Sequence, residues 1–309
     1  MLPLRPPMKA FTLVLLCAVA LPYEASSWLT ICQRISRMRM NHLWGERNHN
    51  LREIRLDCGQ VVHIIPRSVH LAGDWSVTIW EKYQPAATVD HYWNTQSRSV
   101  KALDPFGLVN WPGSVVLAQE LRKYQAEIEN TTVMVIGAGT GVEVQAVAMM
   151  GAKHVIATDY NPTTLRLLEY GVLNAGLENV VKTRLFDLFS EEILPDCDVL
   201  IASDVMYSER LSRIISDRCL EARRKHHPAK ILVSDSQRFA DFVPRLRKQL
   251  GDDSMRWEER RLASFTGSGV MIDDDQTYDV KARILAIGWA EKNVFPLDLT
   301  NKQDYPLKS

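Results

Sequence analysis

No two cysteines in this chain stand at the C-x-x-C spacing of a metal or redox site. The five, Cys17, Cys32, Cys58, Cys197 and Cys219, are scattered through 309 residues, with no histidine at ligand spacing beside them. Neither a disulfide framework nor a zinc site is expected, and no metal site is predicted. Charge of neither sign prevails: 37 Lys and Arg stand against 37 Asp and Glu. Surfaces that grip a phosphate backbone carry a basic excess, so no nucleic-acid partner is expected. The apolar run Phe11–Leu21 (FTLVLLCAVAL) falls short of the roughly 20 residues that span a bilayer, so no stable membrane span is expected once the N-terminus is processed. Internal repeats and low-complexity segments are absent. What is present, 46% hydrophobic and 24% charged residues, is the composition of a globular protein with a full core.

The N-terminus reads as an address. Arg5 and Lys9 precede the apolar run, and small residues follow it in PYEASS, the layout of a signal peptide. From Ala25 to Gly45 there is no acidic residue, while Arg34, Arg37 and Arg39 are basic, which is transit-peptide chemistry. The junction Ala25-Ser26-Ser27-Trp28 resembles the bipartite plastid presequences of algae with secondary plastids, with Trp28 where Phe is usual. A plain secretory signal is the equal alternative, and the absence of a cysteine framework leans slightly against an oxidising destination. Residues 1–45 are therefore assigned to targeting.

Gln60–Ile65 and Ser76–Trp80 are predicted strands by their β-branched and aromatic content, with Thr88–Trp93 a possible third and Asp104–Gly107 a turn. From Trp111 the pattern becomes regular. A helix is predicted over Ser114–Tyr124, with Pro112 suited to its first turn. Strands are predicted at Thr132–Ile136, His154–Thr158, Val180–Leu185, Asp198–Ala202 and Lys230–Val233. Helices are predicted at about Val142–Met150, Pro162–Asn174, Arg210–Lys225 and Phe239–Leu250. This alternation implies βαβ units and a parallel sheet covered on both faces, which suits fully apolar strands such as TVMVI. Strands around Trp257–Leu262 and Val280–Ile287, with no helix between, predict a terminal antiparallel hairpin.

Thr132–Ile136 runs directly into Gly137-Ala138-Gly139-Thr140-Gly141 and then a helix. Glycine lets a backbone turn tightly and approach a ligand with no Cβ in the way. Asp159 follows about 20 residues later at a strand end, where a carboxylate accepts hydrogen bonds from both ribose hydroxyls. The structural alternative is a tight turn with a capping Asp. Both a nicotinamide dinucleotide and S-adenosylmethionine suit such a site, but the spacing G-x-G-x-G, with Val142 where the dinucleotide fingerprint has its third glycine, disfavours the dinucleotide.

Four blocks in order, WPGSVVLAQEL (111–121), VIGAGTG (135–141), TDYNPTTLRLLEYGVLN (158–174) and LIASDVMY (200–207), resemble the seven-β-strand methyltransferases. Specifically, they are similar to the methyltransferase-like group that contains many protein-lysine methyltransferases. The resemblance spans about Ser76 to Glu291. It implies an α/β fold: a Rossmann-like, doubly wound, mostly parallel seven-stranded sheet with a C-terminal antiparallel hairpin and a small N-terminal β extension. The expected organisation is 1–45 targeting, 46–105 β extension, 106–291 S-adenosylmethionine-dependent domain and 292–309 polar tail.

The same resemblance implies roles. Trp111 would line the cofactor pocket; Gly137, Ala138, Gly139 and Gly141 would pass under the cofactor. Asp159 would hold the ribose, Asp187 would reach toward the adenine amino group, and Ser203 and Asp204 would close the pocket. Asp204 and Tyr207 match a D-x-x-Y pattern at the substrate entrance, where they would hold and orient an amine; helix capping by Asp204 and packing by Tyr207 are the plain alternatives. Two departures stand out: Val135 replaces the usual acidic residue, and Phe186-Asp187-Leu188-Phe189 lacks the usual Trp. The expected activity is methylation of a protein side chain, lysine favoured, with protein arginine and small amines following as acceptors. An NAD-dependent oxidoreductase and a non-catalytic cofactor-fold protein are the alternatives. The basic cluster Arg223–His227 is expected to be a solvated helix end, and Asp273–Asp275 an exposed turn.

Overall fold

A computed structural model describes residues 51–55, 61–85, 106–225, 227–236, 256–265 and 278–289. The chain divides into residues 1–51 and 52–309; all elements below lie in the second unit. The targeting segment, the candidate strand Thr88–Trp93, the predicted helix Phe239–Leu250, Asp273–Asp275 and the polar tail fall outside the described residues.

The N-terminal extension is a three-stranded antiparallel sheet of β1 (Arg52–Arg55), β2 (Val61–Ala72) and β3 (Trp75–Lys82). Period-two alternation buries Val62, Ile64, Val69 and Leu71 of β2 and Trp75, Val77 and Ile79 of β3. β2 runs well past the predicted Ile65 and through Pro66. Proline is tolerated there because Pro66 pairs with Trp80 on one side only, while β1 reaches no further than Ile64 on the other. The small sheet is tied to the rest of the unit by Glu81, which is wholly buried. Its carboxylate receives the Arg67 guanidinium and, at 2.6 Å, the backbone N–H of Asn110.

The main sheet has seven strands: β4 (Thr132–Ile136), β5 (His154–Asp159), β6 (Val181–Leu185), β7 (Val199–Ser203), β8 (Lys230–Asp235), β9 (Arg256–Phe265) and β10 (Tyr278–Ile287). Their order is β6-β5-β4-β7-β8-β10-β9, with β4 to β8 parallel and β10 antiparallel to both β8 and β9. The doubly wound sheet and the terminal hairpin thus match expectation.

The described α-helices are α1 (Pro112–Leu121), α2 (Gln125–Ile128), α3 (Val142–Met149), α4 (Pro162–Asn174) and α5 (Glu209–Arg224), and a 3₁₀ turn at Phe106–Leu108 precedes them. α1 starts earlier than predicted because Pro112 occupies its first turn, where a missing N–H costs nothing. It ends in a 3₁₀ turn, Arg122–Tyr124, that leads into α2. Asn161 caps α4 by accepting from Thr163 N at 2.9 Å, and Ser208 caps α5 by accepting from Leu211 N at 3.2 Å. Asp204 is therefore not the cap of the helix that follows its strand. At the far end of α5, Arg223 donates to the Ala229 carbonyl and Lys225 to those of Leu194 and Pro195, so this part of the basic cluster satisfies backbone acceptors.

Strand order decides where a ligand can sit. From β4 the chain steps outward through α3 to β5 and through α4 to β6. It then returns past β4 and steps the other way, from β7 through α5 to β8. Right-handed crossovers put α3 and α4 on one face of the sheet and α5 on the other. Met134 and Ile136 of β4 accordingly pack with Ile215, Cys219 and Leu220 of α5, while Val133 and Val135 point to the opposite face. The winding reverses between β4 and β7. In open α/β sheets the crevice beyond the carboxyl ends of the strands at such a reversal is the ligand site.

Candidate functional site

The glycine loop lies at this reversal. Gly137, Gly139 and Gly141 have φ of 62°, 51° and 85°, in the left-handed region that costs other residues energy. A Cβ on Gly137 would collide with Val205, whereas a Cβ on Gly139 would meet nothing nearer than 3.9 Å. One side of the loop is therefore packed against the chain after β7, and at Gly139 the backbone is open to a ligand. Ala138 N donates to Thr158 O at 2.8 Å, which fixes the loop to the end of β5.

Asp159 is the last residue of β5 and is 7% exposed. One carboxylate oxygen accepts from Asn161 N at 2.9 Å; the other lies 3.4 Å from Gly139 N. Asp187, beyond β6, is exposed and accepts from Phe189 N at 2.9 Å, which closes a local turn. That turn is held from below by Arg218 of α5. Its buried guanidinium donates to the carbonyls of Leu188, Ser190 and Glu192 and pairs with Glu221 at 2.8 Å. Trp111 stands at the N-cap of α1, half-buried, with its indole N–H on the Phe106 carbonyl at 2.8 Å.

The opposite wall is built where α1 begins against β7 and β8. Asp204, just past β7, is 6% exposed and has φ +50°. Its Oδ2 accepts from Gly113 N at 2.6 Å and its Oδ1 from Ser236 N at 2.7 Å. Asp204 N in turn donates to Ser234 O at 3.0 Å, and the Ser234 hydroxyl donates to Gly113 O at 2.8 Å. One carboxylate thus joins three chain segments and sits at the positive end of α1. Gly113 is required by this approach: a Cβ there would lie 2.6 Å from the Asp204 carboxylate. Tyr207 is 46% exposed, three residues further on.

Beside Asp204, Ser203 is buried and its hydroxyl lies 2.9 Å from that of Ser114 on α1. It also donates to Oε1 of Glu143, in the first turn of α3. Glu143 is 1% exposed. Burial pushes its pKa from 4.5 up to about 7; hydrogen bonds from Ser203, its own backbone and Ser114 offset part of this, and the nearby Asp204 adds to it. Its Oε2 has no hydrogen-bond partner among the described residues, and neither do the side-chain amide atoms of Asn110 nor the hydroxyl of Thr164.

The structure brings Gly137, Ala138, Gly139, Gly141 and Asp159 together on one side of the reversal and Ser203 and Asp204 on the other. Asp187 is at the β6 end and Trp111 at the head of α1. Ser114, Glu143, Arg218 and Ser236 were not singled out from sequence. For Glu143 a signal existed: α3 (VEVQAVAM) is apolar almost all round, and a carboxylate in such a helix has to be buried.

Residues 99–251 match the lysine methyltransferase family. A human sequence named methyltransferase-like protein 21E pseudogene is 33% identical over 181 residues, 54% of this chain and 64% of its own length. Ribosomal protein L11 methyltransferase of Dichelobacter nodosus is 30% identical over 152 residues, 46% of this chain and 48% of its own length. Electron transfer flavoprotein beta subunit lysine methyltransferase of Danio rerio is 24% identical over 163 residues, 52% of this chain and 58% of its own length. The chain spans about half to two thirds of the length of these relatives. The matched stretch carries the glycine loop, Asp159, Asp187, Ser203, Asp204 and Tyr207, so both walls of the crevice lie in the part of the chain that is similar to the lysine methyltransferase family.

Proposed function

We propose that the chain binds S-adenosylmethionine in the crevice at the carboxyl ends of β4 and β7 and directs methyl transfer to a protein side-chain nitrogen, lysine favoured. The observation that carries this reading is the open backbone at Gly139 beside the buried Asp159 carboxylate, at the point where the sheet's winding reverses. Asp159 offers acceptors to the ribose hydroxyls, and Gly137, Ala138, Gly139 and Gly141 lie beneath the ligand. Trp111 and Ser203 border the pocket, and Asp187 is suited to the adenine amino group. The orphaned polar atoms of Asn110, Thr164 and Glu143 belong to elements around the same crevice and fit a polar ligand better than an apolar one.

When bound, the cofactor supplies a methyl group already attached to a good leaving group. The chain's residues then have to orient a neutral amine, exclude water and take up a proton. Asp204 is suited to attract the incoming ammonium, and the half-exposed Tyr207 to orient it. The names of the relatives from Dichelobacter nodosus and Danio rerio support a protein acceptor. The test is incubation with radiolabelled S-adenosylmethionine and cell extract. Label in a protein band supports the reading, label only in small molecules moves the acceptor to a small amine, and no label refutes transfer. Residues 1–45 are read as a plastid-targeting or secretory presequence, and the destination of a fluorescent protein fused behind them tests this.

A further inference from the structure

Glu143 enters the reading above only through an unsatisfied oxygen, with no part of the ligand assigned to it, and it is 1% exposed. A carboxyl wholly inside a protein is normally matched by a cation or by donors on both oxygens. Glu143 has hydroxyl donors on one side only. Ser203 serves Oε1, Oε2 is unserved, and none of the ion pairs among the described residues includes it. The charged group that acts on it is Asp204, of like sign.

Its position removes the simplest structural explanation. Glu143 is not buried at random in the core: through Ser203 and Ser114 it is linked to the end of β7 and the start of α1, the two elements that wall the crevice opposite Asp159. It stands on α3, the helix that leaves the glycine loop, one residue beyond Val142. The crevice therefore has Asp159 on one side and the pair of Ser203 and Glu143 on the other.

We propose that Glu143 is the acceptor for the ammonium group of the cofactor's amino-acid portion, with Ser203 holding the other carboxylate oxygen in place. Of the cofactor's two cationic centres only the ammonium has N–H donors; a sulfonium has charge but nothing to give an orphaned oxygen. An ammonium also supplies a positive charge that opposes what burial, and then Asp204, do to this carboxyl's pKa. The inference rests on the cofactor reading and adds to it the orientation of the ligand: ribose toward Asp159, amino-acid end toward Glu143.

The test compares S-adenosylhomocysteine with its analogue in which the α-ammonium is replaced by hydrogen, by calorimetry on the parent chain and on Glu143→Gln. The parent should bind the deaminated analogue about tenfold or more weakly, and Glu143→Gln should lose that discrimination by losing affinity for S-adenosylhomocysteine. The variant keeps the shape and the Oε1 acceptor for Ser203, and its binding of the deaminated analogue reports that it is folded. Undiminished discrimination in Glu143→Gln overturns the proposal. So does a parent that binds both ligands equally, a result that stands even if the variant does not fold. A parent that binds neither ligand refutes the cofactor reading and this inference with it.

Discussion

Replacing Asp204 by Asn keeps the side chain's size but takes away one of its two acceptor oxygens. Both are in use, on Gly113 N at 2.6 Å and Ser236 N at 2.7 Å, so an NH₂ must face one of these two buried amides. A hydrogen bond to a charged group contributes roughly 1.5–3 kcal/mol, and an amide left facing a donor loses all of it. The backbone adds little, because Asn tolerates the left-handed φ of +50° at this position. Asp204→Asn should therefore destabilise the unit by about 2–3 kcal/mol. In a domain of this size that is roughly a 4–12 °C fall in Tm. The urea midpoint should drop with little change in slope, since the surface exposed on unfolding is the same. A midpoint equal to the parent's would refute the assignment of Asp204 as a tie between α1, β7 and β8. Turnover measured well below the lowered Tm separates the second role. If Asp204 also holds the substrate ammonium, methyl transfer falls by orders of magnitude while cofactor affinity barely moves.

Asp159→Ala should cost each lost ribose hydrogen bond roughly 1.5–3 kcal/mol of binding; unchanged S-adenosylhomocysteine affinity in a folded variant would displace the pocket. Glu143 makes the ligand-free chain pH-sensitive. Its pKa is raised from 4.5 to about 7 by folding, so the stability it contributes is full below about pH 4.5 and is lost as pH rises through 7. The loss amounts to about 3 kcal/mol in all. The difference in urea midpoint between the parent and Glu143→Gln should follow that course, and a flat difference would contradict it. Gly113→Ala puts a methyl 2.6 Å from the Asp204 carboxylate and should destabilise by about 1–3 kcal/mol; a neutral effect would show that α1 can move away freely. Removal of residues 1–45 should leave a folded, ligand-competent chain, and aggregation of the truncated protein alone would show that the segment packs on the rest.

Much of this protein is written in short stretches of chain. TVMVI is a buried parallel strand because every position is apolar, and a glycine turn has to follow because the loop turns back within a few residues. Asn161 and Pro162 start α4 by local geometry alone, and Asp159 falls at a strand end by spacing. Signals of this kind need only neighbours in sequence, so the sheet's class, the glycine loop and the terminal hairpin could be read before any coordinates. The boundaries that moved, such as β2 running through Pro66, depended on which edge of a strand has a partner.

Tertiary structure decided the other half. Asp204 reads as a possible cap for the helix after it, but its oxygens are taken by an amide 91 positions earlier and another 32 later. Glu143 meets Ser203 across 60 positions, and no local pattern pairs them. Arg218 reaches back 30 residues to hold the Asp187 turn. Sequence alone determined the strands of the main sheet, most of the helices and where the chain can approach a ligand, because those follow from nearest-neighbour sterics and periodicity; β1 (Arg52–Arg55) and α2 (Gln125–Ile128) lie outside the predicted elements. Only the packed sheet decided which buried charges share a wall of the crevice, because hydrogen bonds are made between groups that folding, not the order of residues, brings within 3 Å.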